Sequence, residues 1–145
     1  MKKLIFTSLC LLMSVFTFAQ QEVTAVNKTD CPVYFNIIAS HNQCTGQNYN
    51  VDFFVPGHST MTQIAATGFE FTAAKASQFD FSQSCSDNVM YVSPSSACIN
   101  CSTTYPNSDS SYVFNSCACD DALYMEWFTN CSGPTYNNAQ IVVYN

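Results

Sequence analysis

The sequence contains no arginine and only four lysines, and Lys2 and Lys3 account for two of them at the very start. Nucleic-acid binding needs a basic footprint to neutralise phosphates, and anionic membrane surfaces attract the same kind of charge. Ten acidic residues set against Lys28 and Lys75 argue against both partners. Glycine is scarce, and no glycine-rich phosphate loop occurs. Without that loop or an arginine clamp, phosphoryl transfer is disfavoured. Histidine is limited to His41 and His58. Beyond residue 19 no apolar run approaches the ~20 residues a membrane-spanning helix requires. Period-3.6 hydrophobic patterning is missing as well, which removes helical bundles and α/β architectures from consideration.

What is present begins with MKKLIFTSLCLLMSVFTFAQQ. Lys2 and Lys3 form a basic start, Leu4 to Phe18 an apolar stretch, and Thr17-Phe18-Ala19 places small residues where a signal peptidase reads. Residues 1–19 therefore read as a signal peptide cleaved after Ala19, and residues 20–145 as a single domain, secreted or periplasmic. Cys10 follows Leu9 rather than a small residue, which disfavours lipid attachment there. Cleavage removes Lys2 and Lys3 and leaves two lysines against ten carboxylates, a net charge of −8. Such a surplus keeps an aromatic-rich chain soluble.

Loss of Cys10 leaves eight cysteines: Cys31, Cys44, Cys85, Cys98, Cys101, Cys117, Cys119 and Cys131. An even number in an exported chain points to disulfides. The alternative is zinc, because Cys98-x2-Cys101 and Cys117-x-Cys119 are separated much like the ligand pairs of a zinc ribbon. Cys-x-Cys departs from that spacing, and an oxidising compartment removes the thiolates that zinc needs. A redox reading of Cys98-Ile99-Asn100-Cys101 lacks the helix N-terminus that lowers a thiol pKa. Eight cysteines allow on the order of a hundred pairings. A strand starting at Val33 places Cys31 and Cys44 at its opposite ends, beyond the ~7 Å Cα separation a disulfide permits. Cys117 and Cys119, pointing the same way if extended, each bond elsewhere.

The remaining patterning alternates with period 2. Glu22–Asn27 alternates; Val33, Phe35 and Ile37 share a face, as do Val51, Phe53 and Val55, and Phe69 and Phe71. Val89 with Tyr91, Tyr112 with Phe114, the set Leu123, Met125 and Trp127, and Ile141 with Val143 follow the same rule. Pro56-Gly57 marks a turn. The exception is Thr72–Gln78, whose AAKAS core suggests one helical turn. Ser93–Ser111 reads as a long surface loop. Many short strands, no repeat and no linker specify an all-β, antiparallel β-sandwich of Greek-key-like type, stapled by disulfides.

VTAVNKTDCPVYFNI (residues 23–37) followed by VPGHST (residues 55–60) resembles the opening of several secreted β-sandwich families, thaumatin-like proteins among them. In those families an Asn and a Cys end the first strand, and a Pro/Gly turn precedes a Ser/Thr-rich strand. The resemblance implies a β-sandwich with a strand after Pro56-Gly57. The later cysteine order departs from the thaumatin-like pattern, and no arginine is present for that family's cleft, so no functional residue is carried over.

Several groups are candidates for function. His41 in SHNQC and His58 in PGHST occupy turns, and His58 stands next to Ser59, a possible nucleophile and base. Asp120 and Asp121, with Asp87 or Asp109, offer hard oxygen ligands for calcium, although no EF-hand pattern occurs; no other cofactor is implied. Trp127 belongs with the core face of its strand. Tyr105, Tyr112 and Tyr136, amid Asn, Ser and Thr, have the composition of an adaptable binding surface suited to sugars or proteins. The sequons Asn27-Lys28-Thr29, Asn100-Cys101-Ser102 and Asn130-Cys131-Ser132 read as chance occurrences. The expectation is a non-catalytic binding module for an extracellular protein or carbohydrate. A small secreted hydrolase and a secreted effector or inhibitor are the alternatives.

Overall fold

A computed structural model describes residues 20–78, 89–95, 98–99, 110–114, 122–131 and 136–145. Nine strands follow one another: β1 Glu22–Asn27, β2 Val33–His41, β3 Asn48–Val55, β4 Ser59–Ile64, β5 Phe69–Ser77, β6 Met90–Val92, β7 Ser110–Phe114, β8 Ala122–Thr129 and β9 Asn138–Tyr144. They form a five-stranded sheet, β4-β1-β9-β8-β7, and a four-stranded sheet, β3-β2-β5-β6, packed against each other. The fold is thus the disulfide-bearing β-sandwich that the alternating pattern specifies.

Inward positions carry the apolar half of each alternation. Phe35 and Ile37 on β2, Phe71 on β5, Leu123, Met125 and Trp127 on β8, and Ile141 and Val143 on β9 are buried in one core. Each such large side chain contributes roughly 1.5–3 kcal/mol relative to an exposed one. Phe35 and Phe53, opposite each other on β2 and β3, stack with centroids 5.7 Å apart.

Four features depart from the sequence expectations. Neighbouring strands pair antiparallel except β1 and β9, which run parallel. A parallel pair needs a crossover rather than a hairpin, and here the crossover is the chain from β2 to β8. Thr72–Ser77 extends β5 instead of forming a helical turn. A register shift opposite Ile38/Ala39 moves the core-facing positions of β5 from Phe71 to Ala74 and Ala76, and that three-residue step in place of two mimics a helix. On β6, Met90 and Val92 are buried and Tyr91 faces out, the reverse of the expected Val89/Tyr91 face. Finally, β4 (STMTQI) has no apolar alternation, because as an edge strand it buries little.

Cys98 and Cys131 form a disulfide with Cα atoms 5.3 Å apart, tying the segment after β6 to the end of β8. Cys31 and Cys44 are disulfide-bonded too. They flank β2, a nine-residue strand whose length of roughly 30 Å rules out a bond between them. Cys85, Cys101, Cys117 and Cys119 lie outside the described residues. At the β6–β7 edge, the Tyr91 amide donates to the Ser111 hydroxyl at 3.3 Å, linking the two sheets.

Candidate functional site

The alternation that buries one face of the five-stranded sheet presents the other face to solvent. Glu22 and Thr24 on β1, Asn138 and Gln140 on β9, and Tyr124, Glu126 and Phe128 on β8 all point outward. Pairing aligns them in rows. Thr24 stands opposite Gln140, which stands opposite Phe128; in the next row Glu22 stands opposite Asn138. Asn130 follows just beyond the end of β8.

These two rows line a surface groove of about 460 Å³, bordered by Glu22, Thr24, Phe128, Asn130, Asn138 and Gln140. The volume falls in the range of small-ligand sites, ~300–1,000 Å³. Phe128 is 50% exposed, so its ring offers a free apolar surface inside a polar rim. Thr24 is steadied by a 3.0 Å hydroxyl–hydroxyl contact with Thr62 on β4. Three carboxamides, a hydroxyl and a carboxylate give the groove both donors and acceptors.

Further along the same face, Tyr124 and Tyr144 stack with centroids 5.4 Å apart and planes 13° from parallel. A hydrogen bond to the Glu126 carboxylate, with smaller contributions from burial and charge, raises the Tyr144 phenol above its ordinary pKa. The pairing register places Tyr112 of β7 opposite Tyr124.

Tyr136, expected among the ligand-facing tyrosines, is instead a core residue with 3% exposure. Its ring meets Trp127 edge-on at 6.3 Å, and its hydroxyl donates to the Phe71 carbonyl of the opposite sheet. Burial first, and the Glu70 charge second, push this phenol well above the usual tyrosine range. The physical reason for the correction is that a tyrosine with one reachable carbonyl can be buried whole. Tyr105 lies outside the described residues, as do Asp120 and Asp121.

Among the described residues His58 pairs with a carboxylate rather than with Ser59. His58 Nε2 lies 2.7 Å from Asp30 Oδ1, while the neighbouring Ser59 hydroxyl donates to the Gly57 carbonyl at 3.2 Å. Ser59 is opposite Asn27, whereas the groove lies by Glu22 at the other end of β1. His41 accepts the Gln43 amide at 3.2 Å and packs edge-on to Phe69. Among the described residues no group of three or more His, Cys, Asp or Glu could hold a metal ion.

The groove residues are ones the sequence did not single out. Alternation in LYMEWFT puts Phe128 opposite in sense to Leu123, Met125 and Trp127, and that outward aromatic was the available signal. Which residues of β1 and β9 stand beside it depends on register, which alternation leaves unspecified.

The fold and the groove define an all-β, two-sheet, disulfide-bonded sandwich with an amide-rich concavity on one outer face. Comparison with protein-family models, with curated proteins and with solved structures finds no match to this chain. Among the described residues no helix is long and apolar enough to cross a membrane. The disulfide is compatible with an extracellular or periplasmic location.

Proposed function

We propose that this chain is an exported, non-catalytic carbohydrate-binding module whose ligand occupies the groove at the Glu22–Asn138 end of the five-stranded sheet. The observation that carries the reading is the half-exposed Phe128 ring set among Asn130, Asn138 and Gln140. A pyranose has an apolar C–H face and a girdle of hydroxyls. The ring stacks on the first, and amides that both donate and accept satisfy the second. The strands present these side chains from a rigid sheet, so little ordering entropy opposes binding.

Export supports the reading from the other side. Cleavage after Ala19 leaves Gln20 at the new terminus and retains Gln21, whose carbonyl accepts the Ala65 amide at 2.9 Å. Processing there leaves that bond in place.

The test is affinity electrophoresis of the exported protein through gels carrying soluble polysaccharides. Retardation by at least one polymer is expected, with Phe128→Ala or Gln140→Ala weakening it tenfold or more. Phe54→Ala, which alters an exposed aromatic on the four-stranded sheet, serves as the control and leaves retardation intact. Retardation that survives Phe128→Ala unchanged overturns the assignment.

A further inference from the structure

Resting on the carbohydrate reading, we infer that the groove favours uncharged glycans over chains bearing uronate, sulfate or sialate groups. Glu22 lines the groove itself, and Glu126 stands on the same outer face of β8. Side-chain cations are absent from this region, where the one opposing charge is the α-ammonium that cleavage after Ala19 leaves on Gln20. Apart from Lys2 and Lys3 in the leader, the chain holds only Lys28 and Lys75. Lys28 follows the far end of β1, ~20 Å along an extended strand from Glu22. Lys75 lies on β5, opposite Asn36 in the other sheet. The Lys28 separation exceeds the ~8 Å screening length at physiological ionic strength.

An anionic sugar in this groove therefore meets a carboxylate with no compensating side-chain cation. For one anion ~5 Å from Glu22 in a water-like dielectric, the repulsion amounts to roughly a fourfold loss of affinity, and to more where the groove is drier. The net charge of −8 slows the approach of polyanions in addition. An uncharged sugar reverses the balance, because its hydroxyls donate to the Glu22 carboxylate in charge-assisted hydrogen bonds. Glu22 is thus a selectivity residue, whereas Phe128 supplies binding to any pyranose face.

The experiment probes a printed glycan array holding uncharged, uronate-bearing, sulfated and sialylated chains with the exported protein and its Glu22→Gln and Phe128→Ala variants. Stronger binding to uncharged chains than to their acidic counterparts is expected, by roughly fourfold per contacting anion. Glu22→Gln should retain those ligands within about threefold and gain signal on uronate chains of the same backbone, roughly fourfold per contacting anion. Phe128→Ala should lose every signal. Wild-type binding to acidic chains as strong as to their uncharged counterparts, still abolished by Phe128→Ala, overturns the selectivity and leaves the glycan groove standing. Absence of binding to every chain, or binding indifferent to Phe128→Ala, overturns both.

Discussion

Gln21 and Asn27 stand at opposite ends of β1, and each reaches out of the five-stranded sheet to hold backbone of the four-stranded one. Gln21 Oε1 accepts the Phe71 amide of β5 at 2.8 Å. Asn27 Nδ2 donates to the carbonyls of Cys31, Val55 and Pro56 at 2.7, 2.9 and 3.1 Å, where β2 begins and β3 ends. Its Oδ1 accepts the amide and hydroxyl of Thr29 at 2.9 and 2.8 Å. Sandwich sheets meet through apolar side chains that slide easily, so two amide clamps fix their relative position in a way the core alone does not. The groove-lining residues Glu22 and Thr24 belong to the strand held between the clamps.

Asn27→Ala should therefore destabilise the protein by about 3 kcal/mol, because it strands buried carbonyls and the Thr29 amide. Asn27→Asp should be at least as damaging, since it places a carboxylate against three carbonyl oxygens. Gln21→Ala, which orphans one buried amide, should cost about 1–3 kcal/mol. Denaturant midpoints at constant slope measure all three, and a wild-type midpoint for Asn27→Asp would sink the clamp. Asn27 is 1% exposed, so expression in a glycosylating host should add no glycan there. Peptide mapping, which separates Asn27 from the sequons at Asn100 and Asn130, reads this directly.

Much of this was legible in the chain. The sandwich followed from period-2 faces such as Val33, Phe35 and Ile37, because alternation is a local property of each strand. Tyr136 was misread because its burial depends on reaching the Phe71 carbonyl in a distant strand. The groove was missed for a related reason. Phe128 and Gln140 lie on consecutive strands, but Glu22 comes from the first strand of the chain, and only the pairing register brings all three together. Asn27 shows the opposite case, in which a sequon conceals a structural amide. Its local signal, Thr at the second position after Asn, is that of a side chain capping its own backbone turn.

The buried Tyr136 phenol predicts alkaline sensitivity. Its folded pKa lies well above that of the unfolded chain, which is about 10. The stability it contributes is complete below pH 10 and is lost as pH rises from there toward the folded value. Tyr136→Phe should cost about 1–2 kcal/mol at neutral pH through the lost bond to the Phe71 carbonyl. It should also flatten the decline in stability above pH 10. Equilibrium unfolding at pH 7 and pH 10.5 compares the two chains, and equal pH slopes would count against the assignment.

Gly57 predicts a cost from space rather than from backbone conformation. A Cβ there would collide with the Asp30 carbonyl oxygen and crowd that of Thr29, which lies 3.0 Å away. That backbone belongs to the corner organised by Asn27, where the His58 amide also donates to the Thr29 carbonyl at 3.1 Å. Gly57→Ala should therefore destabilise the protein by about 1–3 kcal/mol. Thermal unfolding checks it, and an unchanged midpoint would show that the corner can open without loss.

The last prediction joins stability to binding through Cys98 and Cys131. The disulfide closes a loop with a sequence separation of 33, for which restriction of the unfolded chain is worth about 4 kcal/mol. Cys131 follows directly on Asn130, which lines the groove and is carried by no strand of its own. Removing the bond should therefore loosen Asn130 as well as lower stability. The double variant Cys98→Ser/Cys131→Ser should unfold about 2–4 kcal/mol more easily. At a temperature where it remains folded, it should bind glycan several-fold more weakly, with the loss in off-rate because the folded groove forms but is held less firmly. Phe128→Ala should weaken binding with no comparable change in stability. A double variant that loses stability yet keeps the wild-type off-rate would show that β8 alone positions the groove.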